Sequence, residues 1–307
     1  MSETLSKEKT LKQHLEKCEP DLASILHSFA LHSMKMQEQF PKYLQGVEND
    51  KNKYGEAVAK LDNWANDSLV QCLKATKKVR KIYSEELETP TELDPKAPYV
   101  ATLDPLDGSS NIATNNIFGI ILGLYKDDLP QPGRNLKAAA IKVYGPVNTF
   151  IYSTGKGTHE FVKHYNLDDR PTFYLLHENI KFPKKPEVFG IGGEPLDWEP
   201  KFLSFAKSLF RKENLKPRYC GSFVGDFSQI LHRGGFFAYP KTGSSPNGKL
   251  RLTYEASPIS FLAENAGGAS YDGEKGSILN KIPKEVDERV QVYIGNKKLI
   301  QKLKNSL

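Results

Sequence analysis

Asp104-Pro105-Leu106-Asp107-Gly108-Ser109-Ser110-Asn111 gathers the functional groups of metal and phosphate chemistry into one short stretch. It follows an apolar β-type run, Tyr99 to Leu103. Pro105 holds Asp104 in extended backbone, and Gly108 permits a sharp turn. Two carboxylates then stand at a strand end, where a hard cation finds oxygen ligands in both side chains and in a backbone carbonyl such as that of Leu106. Gly108, Ser109 and Ser110 leave amide N–H groups unshielded, as holding a phosphate against a metal requires. A lone Asp-Gly pair is ordinarily a solvated turn; acids, turn and bare amides in combination are far more specific.

Two further clusters gain meaning beside that motif. Glu85-Glu86 closes another β-type run, and neighbours on a strand point to opposite sides, so one can ligate a metal while the other handles a water. By itself such a pair is a surface feature. Lys249-Leu250-Arg251-Leu252 alternates charge with leucine, which puts two cations on one strand face ahead of Glu255. Cations near an acidic metal site are suited to grip a second phosphate. An amphipathic edge strand explains the same pattern equally well.

Other patterns carry less. Gly155-Lys156-Gly157-Thr158 lacks the GxxxxGK[ST] frame of a phosphate loop. No histidine pair forms HExxH, His27 and His32 read as a helix surface pair, and no serine sits in a GxSxG elbow. Cys18, Cys72 and Cys220 are widely spaced with no CxxC, which argues against a disulfide framework or structural zinc. The net charge of +6 comes from lysines spread along the chain, not from a basic arm, so nucleic acid is not implied and an anionic small molecule suffices. No apolar run approaches the roughly 20 residues of a membrane helix. The start, Met1-Ser2-Glu3-Thr4, lacks a signal-peptide layout, and the expected location is cytoplasmic.

The elements that must position these residues change character along the chain. The first 80 or so residues read as helical. Leu22, Ile25, Leu26 and Phe29 recur after Pro20, and Val58, Leu61, Ala65, Leu69 and Cys72 recur after Gly55. Short β-rich runs follow: Lys81 to Ser84, Tyr99 to Leu103, Ile117 to Tyr125, Leu136 to Tyr144, Val147 to Ser153 and Thr172 to Leu176, strands of one mixed sheet. A Lys/Pro-rich stretch, Lys181 to Pro186, marks the expected boundary between an N-terminal part, 1–180, and a C-terminal α/β part, 181–307. Beyond it come a helix at Pro200 to Arg211, a strand at Arg218 to Cys220, a helix at Val224 to His232, a strand at Gly235 to Tyr239 and a final Lys-rich helix after Asn296.

Asp104 to Asn111, together with Gly133-Arg134-Asn135-Leu136, Arg218-Tyr219-Cys220-Gly221-Ser222, Tyr239-Pro240 and Gly248 to Glu255, resembles class I fructose-1,6-bisphosphatase. The likeness runs in order from about Thr10 to the C-terminus. The acidic motif alone would point only to the wider superfamily that includes inositol monophosphatases. The resemblance implies a layered αβαβα sugar-phosphatase fold, a homotetramer (or a dimer), and hydrolysis of the 1-phosphate of fructose 1,6-bisphosphate. It implies that Glu85, Asp104, the Leu106 carbonyl, Asp107 and Glu255 hold two or three Mg²⁺ (with Mn²⁺ or Zn²⁺ as substitutes), Glu56 and Asp62 lying toward the third. Glu86, with Glu85 and Asp62, would serve the attacking water. Asp107, Gly108, Ser109 and Ser110 would hold the reacting phosphate, and Tyr219, Tyr239, Lys249 and Arg251 the sugar and distal phosphate, with Arg218 reaching a neighbouring subunit.

Two departures bear on specificity and regulation. The family's Asn-Glu-Gly-Tyr-like segment at the distal phosphate is here Gly192-Gly193-Glu194-Pro195, which leaves sedoheptulose 1,7-bisphosphate as an alternative substrate. A monophosphatase on the same fold and a catalytically silent anion binder fit less well, since no metal carboxylate is missing and Lys249, Arg251 and Tyr239 imply a second phosphate. The Gly/Thr-rich turn that holds AMP in responsive members is replaced by Cys18-Glu19-Pro20-Asp21, Pro98 replaces a Lys, and Lys126 replaces an Arg. A weak or absent response to AMP is expected.

Overall fold

The computed structural model describes residues 9–44, 51–166 and 170–307. Among these described residues four helices come first: α1 (Leu11–Leu15), α2 (Pro20–Met36), α3 (Phe40–Leu44) and α4 (Lys51–Ala75). Helix α4 starts upstream of Gly55, which therefore lies inside the helix and does not precede it.

Eight strands follow: β1 (Val79–Ser84), β2 (Thr91–Glu92), β3 (Tyr99–Asp107), β4 (Phe118–Tyr125), β5 (Ala138–Tyr144), β6 (Thr149–Ser153), β7 (Thr158–Tyr165) and β8 (Pro171–His177). They form one sheet in the order β2-β1-β3-β4-β5-β6-β7-β8, in which only β1 and β3 pair in parallel. Gly155 and Gly157 both take positive φ in the β6–β7 turn, so the segment that superficially resembles a phosphate loop is a hairpin connection.

The C-terminal elements are β9 (Val188–Ile191), α5 (Pro200–Arg211), β10 (Lys216–Pro217), α6 (Phe223–Arg233), β11 (Gly235–Tyr239), β12 (Leu250–Arg251), α7 (Ser257–Asn265), β13 (Ala269–Tyr271), β14 (Arg289–Val290), β15 (Val292–Gly295) and α8 (Lys297–Lys304). A five-stranded sheet runs β10-β9-β11-β15-β13, and β12 pairs with β14. The strand expected at 218–220 falls instead at Lys216–Pro217. The amides of Cys220 and Gly221 leave the sheet to donate to the Asp226 carboxylate.

Strand alternation divides the large sheet between two cores. Ala101, Leu103, Ile120, Leu122 and Phe150 join Ile25, Leu26 and Phe29 of α2 and Leu61, Ala65 and Leu69 of α4. Val100, Ile121, Ile141 and Ile151 face the other way, into a middle core shared with α6, α7 and Val188, Phe237, Val292 and Ile294 of the second sheet. The far face of that sheet packs Phe236, Ala238 and Tyr293 against Phe202, Phe205 and Leu209 of α5 and Leu299, Ile300 and Leu303 of α8. The layers thus run αβαβα, as expected. Because both faces are covered, β4 and β5 are buried at every position and read as continuous apolar runs.

Candidate active site

The site forms where β1, β3, the β12 segment and the N-terminus of α6 converge. Strand β3 does not stop at Leu103; it continues to Asp107 through a register shift against β4 between Asp104 and Asp107. Pro105 has no N–H to give to a ladder, so a bulge is where a strand tolerates it. Leu106 sits in that bulge with its N–H donated to Asp104 Oδ1 at 3.0 Å. The irregularity re-aims two carboxylates that regular pairing would have put elsewhere.

Glu85, just past β1, Asp104 and Glu255 bring carboxylate oxygens within 4.8 Å of one another. Glu255 lies in a π-helical turn, Leu252–Ala256, that leads directly into α7, and it accepts the Arg251 N–H at 2.7 Å. Burial first, then the charges of Glu85 and its fellow acids, pushes the Asp104 and Glu255 carboxyls well above the usual range. A multivalent cation or protons relieve what the neighbouring Arg251 leaves uncompensated, and an all-oxygen donor set suits a hard ion. The donors therefore fit a divalent metal of the Mg²⁺ type.

Asp107 is buried and held differently. Its Oδ2 accepts from Ser222 Oγ at 2.6 Å and the Val224 N–H at 2.8 Å, and its Oδ1 from the Phe223 N–H at 3.0 Å. These donors form the N-terminal turn of α6, where an anion is favoured. They fix the carboxylate while leaving one lone-pair site, on Oδ1, for a ligand. Gly108 follows with φ +76°, and a Cβ there would lie 2.5 Å from that of Ser222. Only glycine lets the loop approach α6 so closely. Ser109 to Asn111 make a 3₁₀ turn, and Asn111 Nδ2 donates to the carbonyls of Ile117 and Cys220 at 2.7 and 2.8 Å, tying the loop in place.

From the helical side, α4 brings Asp62 to this loop, where Ser109 hydrogen-bonds it. Burial, then the charge of Glu86, raises the Asp62 carboxyl to about 7. Glu86 is likewise raised, by desolvation and then by Glu85. The Glu56 side chain lies outside the described residues.

The basic pair does not share one face. Strand β12 covers only Leu250–Arg251, so the alternation expected from Lys249 onward does not apply. Arg251 reaches into the acid cluster, to Glu85 Oε1 at 2.9 Å and Asp287 Oδ1 at 3.1 Å. Lys249 points to Tyr239, with Nζ 3.4 Å from its hydroxyl and 5.2 Å from its ring centre. Tyr219 completes that second cluster, its hydroxyl 2.6 Å from that of Tyr239. Gly192 has a positive role there: a Cβ would lie 2.3 Å from the Tyr239 ring, so the residue that departs from the family pattern is what seats the tyrosine. Arg218 is exposed, its N–H bound to the Phe189 carbonyl at 2.7 Å.

Sequence reasoning overlooked Asp226, which accepts the Cys220 N–H at 3.0 Å and is raised to about 7 by burial. It also overlooked Asp287 as the partner of Arg251. The Ser222-x-x-Gly225 cap opening a helix was a signal for the first.

This geometry matches known proteins over nearly its whole length. Residues 3–178 match the family model described as fructose-1-6-bisphosphatase, N-terminal domain, and residues 182–307 its C-terminal domain. The chain belongs to the fructose-1,6-bisphosphatase family. A class 1 fructose-1,6-bisphosphatase of Methanocorpusculum labreanum is 39% identical over 297 residues, 96% of this chain and 90% of that protein. One from Methanospirillum hungatei is 35% identical over 297 residues, 95% of this chain and 93% of the relative. The fructose-1,6-bisphosphatase of Leishmania major in its holo form superposes with a TM-score of 0.86 at 27% identity, covering 97% of this chain and 99% of that one.

The acid cluster of this fructose-1,6-bisphosphatase family member has a consequence for stability when metal is removed. Asp104 and Glu255 hold protons more tightly folded than unfolded, so their contribution to stability is full below the ordinary carboxylate range and is lost as pH rises through the raised folded values. In EDTA, the melting temperature is expected to fall as pH rises above the ordinary carboxylate range. Asp104→Asn, which keeps the acceptor for Leu106, is expected to flatten that fall, and Mg²⁺ to restore the wild type at the upper pH. Thermal melts with and without Mg²⁺ check this; identical pH profiles for wild type and variant would count against it.

Proposed function

We propose that the chain hydrolyses the 1-phosphate of fructose 1,6-bisphosphate, giving fructose 6-phosphate and inorganic phosphate, with Mg²⁺ as its metal. The observation that supports this most is the Glu85, Asp104 and Glu255 cluster beside the Gly108 to Ser110 loop. Glu85, Asp104, Asp107, Glu255 and the Leu106 carbonyl would hold Mg²⁺, with Asp62 and Glu56 on the helical side. Bound Mg²⁺ supplies charge neutralisation at phosphoryl oxygens and an acidified water.

The chain's own groups do the rest. The Gly108 to Ser110 amides hold the reacting phosphate. Glu86, whose carboxyl burial and the charge of Glu85 push up, takes a proton from the attacking water. Arg251, next to Glu85, adds positive charge at the reacting end, whereas Lys249, Tyr239 and Tyr219 orient the sugar and the distal phosphate. Lys249 and Arg251 are two residues apart, roughly 7 Å in extended chain, so one short segment serves both ends of a bisphosphate. A division near residue 180 would then separate a mainly metal-holding part from a mainly sugar-holding one. In this reading the enzyme acts in the cytoplasm as a homotetramer, Arg218 serving a neighbouring subunit. Among the described residues no helix is long and apolar enough to cross a membrane.

Phosphate release from a panel of bisphosphates tests this directly. Fructose 1,6-bisphosphate is expected to be the preferred substrate and sedoheptulose 1,7-bisphosphate the second, with activity lost in EDTA and reduced by orders of magnitude in Asp104→Ala, Asp107→Ala and Glu255→Ala. Turnover that persists in EDTA would overturn the assignment.

Lys249→Ala is expected to raise KM with little change in kcat, at a cost of about 1.5–3 kcal/mol in kcat/KM. Arg251→Ala, which also leaves Glu85 without its partner, is expected to lower kcat. Steady-state kinetics separates the two, and matching KM effects would place both cations at the distal phosphate.

The same reading extends to AMP. Glu19 folds back over the start of α2, its carboxylate accepting the Asp21 and Leu22 N–H groups at 3.4 and 3.1 Å and the Tyr99 hydroxyl at 2.6 Å. Against burial, which raises it, these donors hold the Glu19 carboxyl below its ordinary value. The donors that would suit a nucleotide phosphate are already taken by an anion of the chain. AMP titration is expected to leave wild-type activity nearly unchanged; half-inhibition at low micromolar AMP would show the site open.

A further inference from the structure

Away from the acid cluster, Glu160 of β7 is a buried carboxylate, only 1% exposed. It is faced by His177 at the end of β8 and His232 in the last turn of α6. His177 Nδ1 and His232 Nε2 each lie 2.8 Å from the same oxygen, Glu160 Oε2. The other nitrogen of His232, Nδ1, is 2.7 Å from the Ser228 carbonyl, a group that can only accept. Nδ1 therefore carries a hydrogen, and in neutral His232 the Nε2 lone pair would point straight at a carboxylate oxygen. Something positive must stand between them: a proton or a metal ion.

We infer that Glu160, His177 and His232 form a second, transition-metal site, with Zn²⁺ the fitting ion. The ligand atoms all lie within 4.8 Å of one another, and bonds of about 2.0–2.1 Å to a tetrahedral Zn²⁺ need ligand atoms roughly 3.3 Å apart, so the pairs at 2.8 Å open by a few tenths of an ångström. Two imidazoles and one carboxylate select a borderline ion over Mg²⁺. The Ser228 carbonyl is the outer partner that fixes the His232 tautomer, as metal-bound histidines generally require. His177 is half-exposed, which gives entry and room for water as a fourth ligand. On binding, Zn²⁺ replaces the proton at His232 Nε2, which passes to solvent. Against burial, which raises it, the hydrogen bonds of His232 and His177 hold the Glu160 carboxyl below its ordinary value.

The ion would clip the β7–β8 edge of the large sheet to the C-terminal end of α6, whose other end holds Asp107. None of the residues assigned to the acid cluster is a histidine, so the two sites are distinguishable by their ligands.

The test uses the full chain in excess Mg²⁺ with one equivalent of ZnCl₂. X-ray absorption at the zinc edge is expected to show imidazole scattering from two histidines. His177→Ala/His232→Ala is expected to weaken that equivalent, measured against a chromophoric chelator, by more than about 100-fold. Asp104→Asn is expected to retain it. A zinc shell of oxygen alone, or equal affinity in wild type and the double variant, would overturn the site and leave a proton-bridged cluster. The absorption measurement needs only wild-type protein, so it decides even if the double variant does not fold.

Discussion

The bonds from Ser222 Oγ and the Phe223 and Val224 amides to the Asp107 carboxylate are the constraint on which the site depends. They join the end of β3, in the large sheet, to the first turn of α6, in the C-terminal part. A buried carboxylate is costly unless several donors meet it, and a helix N-terminus has orphan N–H groups to offer. Each side thus satisfies a need of the other. With that contact in place, Gly108 must pass against Ser222, the Ser109–Asn111 turn is fixed in position, and Asp104 is aimed toward Glu85 and Glu255.

The acid cluster is built against stability. Folding alone would not gather Glu85, Asp104 and Glu255 within a few ångströms in a buried cleft, and Arg251 relieves only part of their repulsion. Local conflict of this kind is what a functional site looks like in an otherwise consistent fold. It is balanced by regular packing elsewhere: three apolar cores, strands buried on both faces, and capped helices.

Much of this was legible in the sequence, and the failures share a cause. Helix α5, with one apolar stripe, and strand β11, a short apolar run buried on both faces between Gly234 and Pro240, fall where the sequence puts them. The acid motif was readable because its residue types are rare in combination. Strand β7 was missed because Glu160 occupies an inward position, and the histidines that satisfy it come from β8 and α6. The bulge at Pro105–Leu106 was read as the end of a strand, since what continues the pairing is β4 and not the local sequence. His32, read as a surface residue, bonds Ser68 Oγ at 2.7 Å across the α2–α4 contact. In every case the deciding partner is distant in sequence.

The middle core has a consequence for how the chain is made. Val100, Ile121, Ile141 and Ile151 wait on one face of the large sheet for Phe223, Phe227, Ile259 and Leu262, which the ribosome delivers long after β4 and β5. During synthesis the N-terminal part can close its helical side early, through α2 and α4, yet it must expose an apolar sheet face until α6 and α7 emerge. Such a half-covered intermediate is prone to self-association. The order of elements along the chain therefore leaves an apolar sheet face open until late in translation, and the shared middle core makes the two halves parts of one packed structure.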